Sequence, residues 1–163
     1  MRWVTCVESF LVICYRITLS RNNMQLLQSI LKTWRRNLFQ TLIVDDFRSW
    51  RGIDLQIASW HVQKKLTSMD DSEHVGVMLP TSGLFPVAAT AIWACGKTIV
   101  PINYLLSPDE IAYIIKDAGL KTVITVGPML DMIGSLPENV QALRMDKMSF
   151  GGLPPIRRII KRG

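Results

Sequence analysis

Three short runs of β-branched and apolar residues, separated by helix-like stretches, constrain this chain more than any other feature. Val75-Gly-Val-Met-Leu79 closes on Pro80, Thr98-Ile-Val100 stops at Pro101, and Lys121-Thr-Val-Ile-Thr-Val126 reads as a third strand. Runs of this length, bounded by prolines or turn residues, are the signature of buried strands. Between the first two lies Gly83–Cys95, almost wholly apolar, and a helix without a polar face must be covered on every side. Between the second and third stands Ser107-Pro108-Asp109-Glu110. Ser107 can cap, Pro108 suits the first helical position, and Glu110 completes a capping box. Ile111, Ile114, Ile115 and Ala118 then form a buried stripe, and Gly119 suits a left-handed helix end. Strands alternating with helices imply right-handed crossovers and a mainly parallel sheet, so the fold class is α/β with flanking helices. A parallel sheet needs cover on both faces. Few elements remain to supply it, so the chain is expected to expose apolar surface.

Upstream, Leu27, Ile30, Leu31, Trp34 and Leu38 fall at helical spacing within Met24–Phe39, with Lys32, Arg35 and Arg36 on the other face. Such a basic amphipathic helix packs on its own domain, or else lies on anionic lipid with Trp34 at headgroup level. Thr41-Leu-Ile-Val44 is β-rich and ends at Asp45-Asp46. Helix is expected from about Trp50 to Leu66, with Leu55, Ala58, Val62 and Leu66 on one stripe, followed by a polar turn over Ser68–Ser72. A weaker strand falls at Val140–Met145. The resulting division is an apolar N-terminal extension over 1–22, a basic amphipathic helix over 23–40, an α/β unit over 41–147 and a basic connector or tail over 148–163.

A length of 163 residues suits one domain, and 48% hydrophobic against 20% charged residues is a globular composition. The net charge of +6 points to an anionic partner only where the charge clusters, which it does at Lys32–Arg36 and Arg157–Arg162. Neither cluster is interleaved with aromatics as a base-stacking platform would be, so nucleic acid is not the expected partner. Cys6, Cys14 and Cys95 show no zinc spacing, and eight positions between the first two exceed disulfide reach in a helix or strand. Free thiols in a reducing cytoplasm follow, peripheral to a membrane if the basic helix is interfacial. Trp3–Leu19 is largely apolar but carries Glu8 and Arg16 and falls short of the roughly 20 residues a spanning helix needs. It reads as a core strand or an ill-fitting extension rather than an anchor. His61, His74, Asp45-Asp46 and Asp70-Asp71 have no partner spacing that suggests catalysis; the aspartates read as solvated turn residues.

Four pieces in order and register carry a family resemblance over about half of the chain. Ser49-Trp-Arg-Gly-Ile53 is similar to a T-Y-x-E-L core motif, with Gly52 in place of the acidic residue. Gly76-Val-Met-Leu-Pro80 is similar to V-x-L-L-P-N-S. Ile92–Asn103 is similar to L-x-A-G-x-x-x-V-P-I/L-N/D, with Cys95 inserted before Gly96. Leu106-Ser-Pro-Asp-Glu-Ile-Ala-Tyr-Ile-Ile115 is similar to L-T-P-E-E-L-x-Y-I-L. Together they resemble the N-terminal part of the adenylate-forming superfamily of AMP-dependent synthetases and ligases, nearest to the fatty-acid type. The resemblance implies, for a full-length member, ATP and magnesium as cofactors. It implies a fatty acid or other carboxylate as substrate, and CoA or acyl carrier protein as thiol acceptor.

The phosphates in such a family are held by a loop that reads roughly T-S-G-T/S-T-G-x-P-K-G. Thr81-Ser82-Gly83 starts like it, but Leu-Phe-Pro follows with no second glycine and no lysine. Gly151-Gly152-Leu-Pro-Pro155 also lacks the lysine. No catalytic, cofactor-binding or metal-binding residue is therefore assigned, and the chain is expected to be inactive by itself, its native start near Met24 and its frame continuing past Gly163. The alternative is a noncatalytic α/β module that binds a partner subunit or an anionic membrane through Met24–Arg36 and the basic tail. Cys14-Tyr-Arg-Ile17 is similar to the entry of lysophospholipid acyltransferase domains, but their H-x-x-x-x-D motif is absent.

Overall fold

The computed structural model describes residues 24–69 and 72–150. The expectations for the first 22 residues, Cys6, Cys14, Asp70-Asp71, Gly151-Gly152 and the basic tail lie outside them. Helix α1 (Met24–Arg36) leads into a hairpin of β1 (Thr41–Val44) and β2 (Ser49–Arg51), and then α2 (Gly52–Met69). The alternating part follows as β3 (His74–Met78), α3 (Leu84–Ala94), β4 (Thr98–Pro101), α4 (Pro108–Asp117), β5 (Thr122–Thr125), α5 (Gly127–Ile133) and β6 (Gln141–Arg144). A single 3₁₀ turn, Met145–Lys147, closes the described region.

The sheet of β3 to β6 is parallel throughout, in the order β4-β3-β5-β6. Because side chains alternate across a strand, its two faces feed two cores. Val75 and Val77 of β3, Ile124 of β5 and Leu143 of β6 join the cluster built with α1, α2 and α3. Met78 and Val123 point the other way, into a cluster with Ile111 and Ile115 of α4 and Ile133 of α5. Both sheet faces are therefore covered. The shortage of cover expected from sequence is met by α5, whose Gly-Pro start reads as a turn and whose seven residues are too few for a periodic signal.

Other expectations hold in detail. Ser107 Oγ accepts from the Glu110 amide at 3.4 Å while the Ser107 amide donates to Glu110 Oε2 at 2.9 Å, a complete capping box. Gly119 ends α4 at φ 61°, and Gly96 follows α3 at φ 72°, where an L side chain would be strained. Leu55, Ala58, Val62 and Leu66 are fully buried along α2. A second stripe on that helix, absent from the sequence reading, is polar: Ser59 Oγ lies 2.7 Å from Thr90 Oγ1, and Gln63 Nε2 donates to the Ala94 carbonyl at 3.4 Å. Thr90 is thus the polar side chain through which α3 meets α2.

Three boundaries are corrected. Trp50 and Arg51 are extended because they pair with β1, and α2 starts at Gly52, where a Cβ would stand 2.4 Å from the Trp34 carbonyl oxygen and 2.6 Å from that of Asn37. This close approach of two backbones accounts for glycine where the related motif has an acid. Helix α1 stops at Arg36 rather than Phe39, since the next carbonyls are needed elsewhere: Leu38 and Gln40 accept from Ile53 and Gly52. Helix α2 runs through Ser68 to Met69, where a polar turn was expected. Strand β4, expected to be buried, is an edge strand with Thr98 exposed and Ile99 and Val100 half-buried.

Candidate functional site

In a parallel α/β sheet, ligands bind where the strand order reverses, outside the carboxyl ends of the strands. With the order β4-β3-β5-β6 that point lies between β3 and β5. Its rim is built from the residues after β3, Leu79 to Gly83, and those after β5, Val126 to Pro128. The Thr81-Ser82-Gly83 sequence singled out above falls on it, at the start of α3.

A helix start binds an anion through its unpaired amides, so the fate of each amide decides what the rim can do. The Gly83 amide donates to Asp45 Oδ2 at 2.9 Å. Leu84 donates to Ser82 Oγ at 3.3 Å and Phe85 to the Ser82 carbonyl at 3.2 Å. Pro86 has no N–H. On the β5 side, Gly127 donates to Asp146 Oδ1 at 3.1 Å, Pro128 has no N–H, and Met129 and Leu130 both donate to the Val126 carbonyl. The amides at the start of both helices, from Gly83 to Phe85 and from Gly127 to Leu130 with the prolines aside, are thus engaged within the chain. At each helix start the first amide is taken by a side-chain carboxylate, Asp45 for Gly83 and Asp146 for Gly127.

Asp45 is the more developed of the two. It sits in the β1–β2 turn, where Oδ1 accepts from the Phe47 and Arg48 amides at 3.0 and 2.9 Å. Oδ2 accepts from the Trp50 indole at 2.7 Å as well as from Gly83. Burial pushes the carboxyl up, but the hydrogen bonds from Gly83, Trp50, Arg48 and Phe47 outweigh it and hold the pKa at about 2, below the ordinary 3.8. The carboxylate also faces the positive end of α3. Trp50 is buried with the Arg48 guanidinium 3.3 Å over its ring, and a Cβ at Gly83 would stand 2.3 Å from the indole nitrogen. Asp45, Trp50 and Gly83 thus form a latch from the hairpin to the start of α3, across 38 positions. Sequence reasoning saw in Asp45-Asp46 only a solvated turn. That holds for exposed Asp46 and fails for half-buried Asp45, since only the fold brings Gly83 to it. Asp146 is held below its ordinary pKa, first by the Arg144 guanidinium at 2.6 Å.

The remaining candidates stay apart. His61 is edge-on to Trp60 with centroids 4.8 Å apart, His74 starts β3, and Cys95 is a free thiol whose pKa burial pushes up. Among the described residues no three His, Cys, Asp or Glu side chains form a metal-binding group, and no helix is long and apolar enough to cross a membrane. The helix-start amides of Gly83 and Gly127 are turned to internal carboxylates, and no lysine stands between Lys65 and Lys97 in the sequence around Thr81-Ser82-Gly83.

Comparison with known proteins gives this arrangement its relatives. The family described as "AMP-binding enzyme" matches residues 57–152. The peroxisomal OPC-8:0-CoA ligase 1 of Arabidopsis thaliana is 29% identical over 89 residues, which are 54% of this chain and 16% of that protein. Among solved structures, the nonribosomal peptide synthetase FmoA3, in its α-methyl-L-serine-AMP-bound form, superimposes with a TM-score of 0.68 at 21% identity, over 80% of this chain and 15% of that one. A Mycobacterium tuberculosis fatty acyl CoA synthetase gives 0.61 at 19% identity, over 80% of this chain and 30% of that one. At these identities the structural likeness shows the fold. The chain spans only about one sixth of the length of the curated plant relative.

Proposed function

The chain belongs to the AMP-binding enzyme family, to which 57–152 match, and from that premise we propose that it is scaffold of a carboxylate-activating ligase of the fatty-acid type, without ATP-dependent activity of its own. The observation that carries this is the rim between β3 and β5. The family's strand–helix framework is present around it, yet the Gly83 and Gly127 amides at its two helix starts are taken by Asp45 and Asp146. Stabilising the charge of a transferring nucleotidyl group requires preorganised donors aimed at it, and the first amide of each helix here is aimed at an internal carboxylate. The fatty-acid assignment is supported by the OPC-8:0-CoA ligase, a CoA ligase by name, among the curated relatives and the fatty acyl CoA synthetase among the structural ones. In such a ligase these residues would position the sheet and helices on which activation takes place. ATP, magnesium, the carboxylate and the thiol acceptor would be held by residues other than those described here.

Titration calorimetry of the 163-residue protein with magnesium ATP, with and without a long-chain fatty acid, tests the reading. No saturable ATP binding in the micromolar range is expected. A site of that affinity would overturn the proposal.

A further inference from the structure

Charge is divided unevenly between the two described segments of the chain. Residues 24–69 carry seven basic against three acidic side chains, a net +4, whereas residues 72–150 carry five against seven, a net −2. Helix α1 contains no acidic residue. Its apolar stripe Leu27, Leu31 and Trp34 is spent on the core, Trp34 being 5% exposed, so the headgroup position considered for that tryptophan is ruled out by packing. The opposite crest holds Lys32 and Arg36, one turn apart and both exposed. Lys64 and Lys65 are exposed on α2, which packs against α1. None of these four is in an ion pair among the described residues, where the only pairs are Arg51–Asp54 and Arg144–Asp146. Two large apolar side chains flank the basic crest in the open: Leu26, 58% exposed, in the first turn of α1, and Phe39, 75% exposed, just past its end.

We propose that this helical layer is a docking face for an anionic bilayer surface, with Lys32 and Arg36 over the headgroups and Leu26 and Phe39 as shallow apolar contacts. A basic crest alone would suit any polyanion. The flanking apolar side chains favour lipid over a free polyanion, because a bilayer offers negative charge and hydrocarbon over one continuous surface. Nucleic acid is disfavoured because Trp34 is buried and Phe39 beside the crest is a single ring, not the series of aromatics on which successive bases stack. The contact is electrostatic first, so it weakens as salt shortens the screening length.

The test is sedimentation of the full chain with phosphatidylcholine vesicles and with vesicles containing about one third phosphatidylserine. Binding is expected only to the second, and to fall as salt is raised. Each charge near such a surface contributes about fivefold in affinity, so the pair Lys32→Gln and Arg36→Gln should weaken binding about 25-fold. The pair Lys116→Gln and Lys121→Gln, exposed on the acidic half, should leave it unchanged. Leu26→Ser with Phe39→Ser should weaken vesicle binding while leaving retention on a heparin column as it was. All six positions are exposed, and circular dichroism confirms that the variants fold. Equal binding to both vesicles, or vesicle binding indifferent to the Lys32/Arg36 pair, would overturn the proposal. So would Leu26/Phe39 variants that bind vesicles as the parent does.

Discussion

Replacing Asp45 with alanine removes the acceptor shared by the hairpin and the start of α3. Two routes give the size of the effect. Lowering a carboxyl from 3.8 to about 2 corresponds to at most about 2.4 kcal/mol of folding free energy, and screening at a half-buried group reduces this to about 1–2 kcal/mol. Counted by hydrogen bonds, the variant strands the Gly83 amide and the Trp50 indole, both partly buried, at about 1 kcal/mol each, while the Phe47 and Arg48 amides turn to water. The two values describe the same contacts and agree on a loss of about 1–2 kcal/mol. The pH dependence fixes the cause. A depressed carboxyl stabilises the fold above its ordinary pKa, and that contribution is lost as pH falls from 3.8 toward 2. The gap between wild type and Asp45→Ala should therefore be full at neutral pH and at about pH 5, and should close between about pH 4 and 2. Urea unfolding followed by tryptophan fluorescence measures it, since the buried Trp50 indole loses its carboxylate on unfolding. A variant within about 0.5 kcal/mol of wild type at neutral pH, or a gap unchanged at about pH 2.5, would refute the latch.

Two further substitutions probe the frame around it. Gly52→Ala drives a Cβ against the Trp34 and Asn37 carbonyl oxygens, which are backbone and cannot swing aside, so the same unfolding assay should show a loss of about 2–3 kcal/mol. Ser107→Ala removes the cap of α4 and should cost about 1 kcal/mol, with faster hydrogen exchange at the Glu110 amide as its local sign.

What could be read from sequence was what local chemistry decides. The capping box at Ser107 lies within four residues, the stripe Leu55–Leu66 repeats at the helical period, and each parallel strand is a short apolar run. The edge position of β4 could not be read, because strand order depends on which side of β3 each crossover lands. The hairpin was hidden for another reason. Its turn, Asp45-Asp-Phe-Arg48, carries none of the glycine-containing pairs that announce a tight turn, and is instead shaped by Asp45 accepting from the amides ahead of it. The state of the switch-point rim was half legible. That Thr81-Ser82-Gly83 lacks the second glycine and the lysine is visible in the sequence, whereas its occupation by Asp45 depends on a contact between distant segments.

The most direct test of the scaffold account is fatty-acid-dependent exchange of labelled pyrophosphate into ATP, measured on the pure 163-residue protein alone and after mixing with a related fatty acyl-CoA ligase from which the segment matching residues 57–152, and all that precedes it, has been deleted. The account predicts no exchange above a heat-killed control from either part alone, and exchange restored when the two are combined. Exchange by the protein alone, or a mixture that associates and stays silent, would contradict it.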